Sequence, residues 1–157
     1  MKIALLNCTK TKKPYKCKAE EMYSDSQLFM VAKRFAEQRL GVDRICILSC
    51  KYGLLDMDTI IEPYNVTLQG SKKEEQAEFG LRVYKQLQSQ EWFKDLKEIQ
   101  FLTSEPYHWC LIELLRDHNI YTHIHGAGLG MGYKIQYFRN QVSRQKKLFN
   151  ATKEEKK

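Results

Sequence analysis

Four short segments of this 157-residue chain gather side chains that can bind or react: Asn7-Cys8-Thr9-Lys10, Ser49-Cys50-Lys51-Tyr52-Gly53, Ser104-Glu105-Pro106-Tyr107-His108 and His125–Gly132. In the first, Thr9, Lys10 and Lys12 offer hydroxyl and ammonium donors to a phosphate, or form a solvated basic loop; lacking glycine, it is not a Walker loop. In the second, Lys51 can face a ligand, Tyr52 can stack on a base or sugar, and Gly53 permits a tight turn. The same residues also suit a turn whose tyrosine covers the core. Nearby, Ile61-Glu62-Pro63-Tyr64 adds a carboxylate and another ring. Glu62 is an acid–base candidate or a backbone hydrogen-bond acceptor. Glu105 opens a helix, where the macrodipole favours its ionised form; this suits stabilising an oxocarbenium ion or orienting water, and equally suits a plain helix start. Gly126, Gly128, Gly130 and Gly132 let backbone approach a ligand, but their spacing is not GxGxxG. His123 and His125 are two apart and the cysteines form no CxxC pair, so neither a metal nor a cofactor is expected. Cys8 and Cys50 read as reactive only if they are not small apolar fillers.

The elements that must position these segments are legible from apolar periodicity. Continuous apolar runs predict strands over Lys2–Asn7, Arg44–Ser49, Glu98–Thr103 and Ile120–Ile124. Helical spacing predicts helices over Gln27–Leu40, Lys72–Phe93, Pro106–His118 and Lys134–Phe149. Residues 51–55 read as a turn, 56–71 as a long ordered loop and 151–157 as a disordered basic tail after a single α/β domain spanning 1–150. Strands alternating with helices predict a three-layer α/β/α sandwich with a four-stranded, mainly parallel central sheet. All four reactive segments directly follow strands, so they are expected to share the sheet's carboxyl edge, with Asn7, Ser49, Ser104 and Gly126 lining it.

The chain is 43% hydrophobic and carries a net charge of +7. No apolar run approaches the roughly 20 residues of a membrane span, so no membrane partner is expected. Residues 1–18 hold six lysines and no acid, and residues 134–157 hold eight Lys/Arg and two Glu. Brought together, these ends would make one basic face for a phosphate-bearing partner. Five cysteines without an export signal point to reduced thiols in a cytoplasm.

Four ordered motifs resemble a family of small bacterial and phage proteins of unknown function. Leu5–Lys12 is similar to its "L-x-x-C-S-K-x-K" opening, with Thr9 where Ser is usual, and Met22–Phe29 to its "L-Y-x-S-x-x-F" segment. Leu48–Asp56 matches "L-S-x-K-x-G-L-L-D", Ile61–Leu68 matches "I-E-P-Y-x-x-T-L", and Gly126–Gly132 is similar to a late glycine-rich stretch. The opening also resembles that of the glycosylase-like domain of archaeosine synthases and, more distantly, YaaA-like peroxide-stress proteins. Those resemble the uracil-DNA glycosylase superfamily, which implies a three-layer fold with a base- or nucleoside-binding pocket at the strand ends. The "G-Q-D-P-Y-H" motif of true uracil-DNA glycosylases follows their first strand; here its look-alike, Ser104–His108, follows the third, and "H-P-S" is absent. The expected function is cleavage of an N-glycosidic bond in DNA or a nucleotide. Tyr52, Tyr64 and Tyr107 would stack the base, Lys10, Lys12 and Lys51 would hold phosphate, and Glu105 or Glu62 would assist the sugar cation or water. A non-catalytic nucleotide- or nucleic-acid-binding protein on the same fold is the alternative, and a phosphoryl or deoxyribosyl transferase a third.

Overall fold

The structure, a computed structural model, describes the backbone of residues 1–155 and the side chains of residues 1–143. Strand β1 (Lys2–Asn7) is its centre. Ile3, Ala4, Leu5 and Leu6 are all completely buried, and because successive side chains alternate in direction, both faces of this strand are covered. β2 (Cys17–Lys18) and the one-turn α1 (Ala19–Met22) follow within the first loop. Helix α2 (Gln27–Arg39) begins where the Ser26 hydroxyl accepts the Phe29 N–H at 3.2 Å, a side-chain cap. It buries Phe29, Val31, Ala32, Phe35 and Ala36, and Gly41 turns the chain at φ +57°. β3 (Arg44–Ser49), β4 (Gly53–Asp56) and β5 (Ile60–Ile61) come next. Then follow α3 (Lys73–Gln88), β6 (Glu98–Leu102), α4 (Glu105–Leu115), β7 (Tyr121–Ile124) and α5 (Met131–Glu155).

The main sheet has the order β4-β3-β1-β6-β7. β3, β1, β6 and β7 are parallel, and β4 is antiparallel to β3. The four parallel strands agree with the sequence reading; the sheet has five strands rather than four. The residues read as a turn, Lys51–Leu55, instead reverse the chain and pair Gly53, Leu54 and Leu55 with Ser49, Leu48 and Ile47. Part of the long loop also pairs: β5 lies against β2, which fastens the loop after β1 to the one after β4. The helix expected over 72–93 stops at Gln88 and is followed by a 3-10 turn over Glu91–Asp95. α2 packs on α5 and α3 on α4, leaving the sheet between two helical layers. Among the described residues no helix is long and apolar enough to cross a membrane.

From β1 the chain builds outward in both directions, to β3 on one side and β6 on the other. The crevice between the ends of β1 and β6 is the topological switch point, where parallel α/β sheets take their ligands. α5 starts at this edge and runs beside α2 away from it. At 1.5 Å per residue, position 150 lies about 24 Å beyond Lys134 along the helix. The two basic ends of the sequence therefore do not form one face: the amino-terminal lysine loop and Lys134 lie at the ligand edge, while α5 carries the later cations away from it. The basic tail read from residue 151 onward lies, for its side chains, outside the described residues.

Candidate functional site

Asn7 sits at the end of β1 and uses both ends of its amide. Nδ2 donates to the Cys8 carbonyl at 2.9 Å, and Oδ1 accepts the Ser104 N–H at 3.2 Å. It clamps the β1 and β6 loops together across the crevice, which occupies the groups expected to meet a ligand. Cys8 is buried, with Sγ 3.6 Å from the Tyr107 hydroxyl. That hydroxyl also accepts the Leu68 N–H at 3.3 Å and lies 3.5 Å from Thr67 Oγ1. The Tyr107 ring is 2% exposed and meets Phe79 edge-on. Its expected role in stacking a base is therefore corrected: the ring fills the core, and only its hydroxyl reaches the strand ends.

The end of β3 carries a second hydroxyl network. Ser49, fully buried, donates to the Tyr64 hydroxyl at 2.7 Å and accepts the Tyr52 N–H at 3.1 Å. The Tyr64 hydroxyl also lies 2.7 Å from that of Tyr23. Burial holds the Tyr23 phenol up at about 12 and raises the Tyr64 phenol as well, so both stay protonated donors. Tyr52 brackets the Glu62 peptide, accepting its N–H at 3.2 Å and donating to its carbonyl at 3.4 Å. Its ring meets Tyr64 edge-on at 5.8 Å. Lys12 Nζ stands 4.5 Å over the Tyr64 ring, and burial lowers its pKa. Among the described residues no carboxylate pairs with it.

The remaining sequence candidates are less engaged. Lys10 and Lys51 are exposed, Lys51 Nζ resting 5.2 Å from the Tyr52 ring. The Lys51 backbone is rigid, because Arg82 donates to the carbonyls of Cys50 at 2.7 Å and Lys51 at 3.0 Å. Gly53, at φ +74°, leaves room for Gln86, which accepts the Leu54 N–H at 2.8 Å and donates to the Tyr52 carbonyl at 3.1 Å. Thr9 Oγ1 is turned to the Thr11 carbonyl at 3.0 Å. Glu62 and Glu105 are both exposed, and Glu105 lies 3.6 Å from Lys73. Neither occupies the apolar cleft expected of a carboxyl tuned for proton transfer, so the acid–base reading of Glu62 among aromatics is not met by its surroundings. Gly126 and Gly128 have φ of +69° and +76° and carry the chain from β7 toward α5.

Three groups at this edge were given no role by the sequence reading. Tyr23 is one, because its partner Tyr64 is 41 residues away. His108 is buried, with Nδ1 2.9 Å from Thr103 Oγ1; burial and, secondarily, Lys134 push its pKa down to about 4. Lys134, half-buried beside Gly126, is lowered by burial alone. The signals were, for His108, its place in the Ser104–His108 segment after a strand and, for Lys134, its place just after the glycine-rich loop. A shallow hollow of about 500 Å³ lined by Glu78, Leu81, Arg82, Lys85, Gln86 and Ser89 lies along α3, beside the turn between β3 and β4 that Arg82 and Gln86 hold.

A family model described as a family of unknown function, DUF6884, matches residues 3–140. The chain belongs to the DUF6884 family. The DUF6884 span runs from β1 into α5 and contains Lys12, Tyr23, Ser49, Tyr64, Tyr107, His108 and Lys134, the whole of both networks. No curated protein and no solved structure matches the chain.

Proposed function

We propose that this DUF6884 chain binds a phosphorylated nucleoside, free or within a nucleic acid, across the carboxyl edge of its sheet. The observation that carries this reading is Lys12: a half-buried ammonium fixed over the Tyr64 ring, without a carboxylate partner among the described residues. Desolvating a cation without an anion is unfavourable, and a ligand that brings both a phosphate and a flat ring relieves the cost at one place. Tyr64 is rigid because Tyr23 and Ser49 hold its hydroxyl, so a base meets a preorganised surface. Lys51 and Tyr52, on the loop anchored by Arg82, form its outer wall.

The reaction we propose for such a ligand is cleavage of its N-glycosidic bond, which the resemblance to uracil-DNA glycosylase-like proteins supports. In that reaction Glu105, at the start of α4, is the group to stabilise the sugar cation or orient water. A purely binding role is the competing reading, and the exposure of both candidate carboxylates favours it. The test is a panel of nucleoside monophosphates and short single-stranded oligonucleotides, assayed for binding and for released free base. Binding weakened about tenfold or more by Lys12→Ala supports the site. Base release abolished by Glu105→Gln supports chemistry, whereas binding without release assigns the chain as a binding protein. Binding indifferent to Lys12→Ala overturns the proposal.

A further inference from the structure

The opposite side of the crevice, over the ends of β6 and β7, holds a second cation that its own protein does not neutralise. Lys134 stands in the first turn of α5 with its stem against Gly126, where an added Cβ would lie 3.4 Å from Lys134 Cγ. It is half-buried, and no carboxylate pairs with it among the described residues. The carboxylate near His108, Glu105, is engaged by Lys73 at 3.6 Å on the exposed side of α4. His108 is 94% buried; Thr103 holds its Nδ1, and its Nε2 makes no hydrogen bond among the described residues.

The glycines of this segment supply a separate observation. Gly126 and Gly128 are accounted for by positive φ. Gly130 and Gly132 are not: their φ values suit any residue, and an added Cβ would meet nothing within 4 Å at either. Gly132 lies inside the first turn of α5, where alanine favours the helix more than glycine does. Nothing in the fold requires that sacrifice. The space it leaves open fronts the first-turn N–H groups of α5, which no side chain caps among the described residues. Backbone donors, an ammonium without a carboxylate partner and an imidazole nitrogen without a hydrogen bond among the described residues thus belong to the same end of the sheet, the ammonium near enough for its charge to help lower the His108 pKa. That is the chemistry of a phosphoryl site.

We propose that Lys134, His108 Nε2 and the backbone at Gly130–Gly132 form a phosphate subsite, separate from Lys12 and across the crevice from it. It deepens the reading of the preceding section, since a ligand spanning both would carry its base over Tyr64 and a phosphoryl group at Lys134. The ends of β3 and β7 are separated by three strand spacings of about 4.8 Å, so the two cations suit different phosphates, or a phosphate and a base, of one extended ligand.

The test uses the full chain and three probes: inorganic pyrophosphate, a nucleoside monophosphate and a single-stranded dinucleotide. Binding is followed by calorimetry, with melting temperatures of each free variant recorded in parallel. Lys134→Met keeps the apolar stem and removes the charge, and should weaken pyrophosphate at least about tenfold; Lys134→Arg should retain binding, and Lys85→Met on the outer side of α3 should leave it unchanged. Gly132→Ala gives the opposed signature: a higher melting temperature without ligand and weaker pyrophosphate binding. A dinucleotide bound more tightly than pyrophosphate identifies a nucleic-acid ligand, and the reverse order a free phosphorylated metabolite. Pyrophosphate that fails to bind the wild type, or binds Lys134→Met equally well, overturns the subsite even where nucleosides still bind at Tyr64. Loss of nucleoside binding with pyrophosphate binding intact would instead remove the Tyr64 reading and leave the subsite standing.

Discussion

At the scale of single residues, the strand-end edge is organised by hydroxyl groups rather than by the carboxylates the sequence suggested. The Tyr64 hydroxyl is shared by Ser49 and Tyr23, each at 2.7 Å and each completely buried. Tyr64→Phe keeps the ring under Lys12 but removes the hydroxyl to which the buried Tyr23 and Ser49 hydroxyls are both bonded. Leaving a buried hydroxyl unsatisfied costs about 1–3 kcal/mol. Urea unfolding should therefore show a lower midpoint with an unchanged slope, while binding through the ring survives; an unaltered midpoint would mean that the network contributes nothing to stability. Tyr52, Tyr64 and Lys51 were visible as candidates because they crowd one stretch of sequence beside Gly53 and Pro63. Tyr23, His108 and Lys134 were not, because each acts through residues distant in sequence or through burial that no local pattern encodes. Tyr107 was misread for the converse reason: its position after a strand is that of a ligand residue, but the packing of α3 on α4 encloses its ring.

At the scale of elements, β1 and β3 were legible as apolar runs buried on two faces, whereas β6 is interrupted by Gln100 and the edge strand β7 is only partly buried, so their place after helices had to carry the reading. β4 was not legible, since a four-residue strand that follows Lys51-Tyr52 and opens on Gly53 is indistinguishable from a turn until Gln86 is seen holding its first peptide groups. The α3–α4 contact supplies a prediction of sign. Gly80 lies in the middle of α3, where alanine would add up to about 1 kcal/mol of helix propensity. An added Cβ would, however, come within 2.6 Å of Cys110 Cβ and 3.2 Å of the Leu111 nitrogen. Backbone on α4 cannot yield as a flexible side chain would, so the helices must part, and overpacking of this kind costs typically 1–3 kcal/mol. Gly80→Ala should lower the melting temperature, and a higher one would show that the two helices separate freely.

At the scale of the whole molecule, charge and buried imidazoles set the response to solution conditions. His108 and His125 are both pushed down to about 4 from an ordinary 6.5, chiefly by burial. Their lowered folded-state pKa means that the unfolded chain takes up protons first as pH falls. Their contribution is complete above about 6.5 and is lost progressively toward 4, with a slope approaching two protons between. Melting temperatures at pH 7 and pH 5 should differ accordingly, and His125→Gln should make the profile shallower; a flat profile would mean that these imidazoles are not desolvated. The lysines of residues 1–18 make the other prediction. Nucleic-acid binding that neutralises several phosphates should weaken by a factor on the order of a thousand between low and moderate salt. Tight binding indifferent to salt would confine recognition to the base.

The strand at the centre of the sheet precedes both of its partners along the chain. β1 finds partners at Arg44–Leu48 and Glu98–Leu102, so its second edge stays open until about a hundred residues have been joined. At translation rates of about 5–20 residues per second, that is on the order of 5–20 s. During this interval Ile3, Ala4, Leu5 and Leu6 form an extended apolar edge with no covering helix on one side, the kind of segment that pairs with other nascent chains. The yield of folded protein in a cell should thus depend on what shields this strand during those seconds as well as on the stability of the finished sheet.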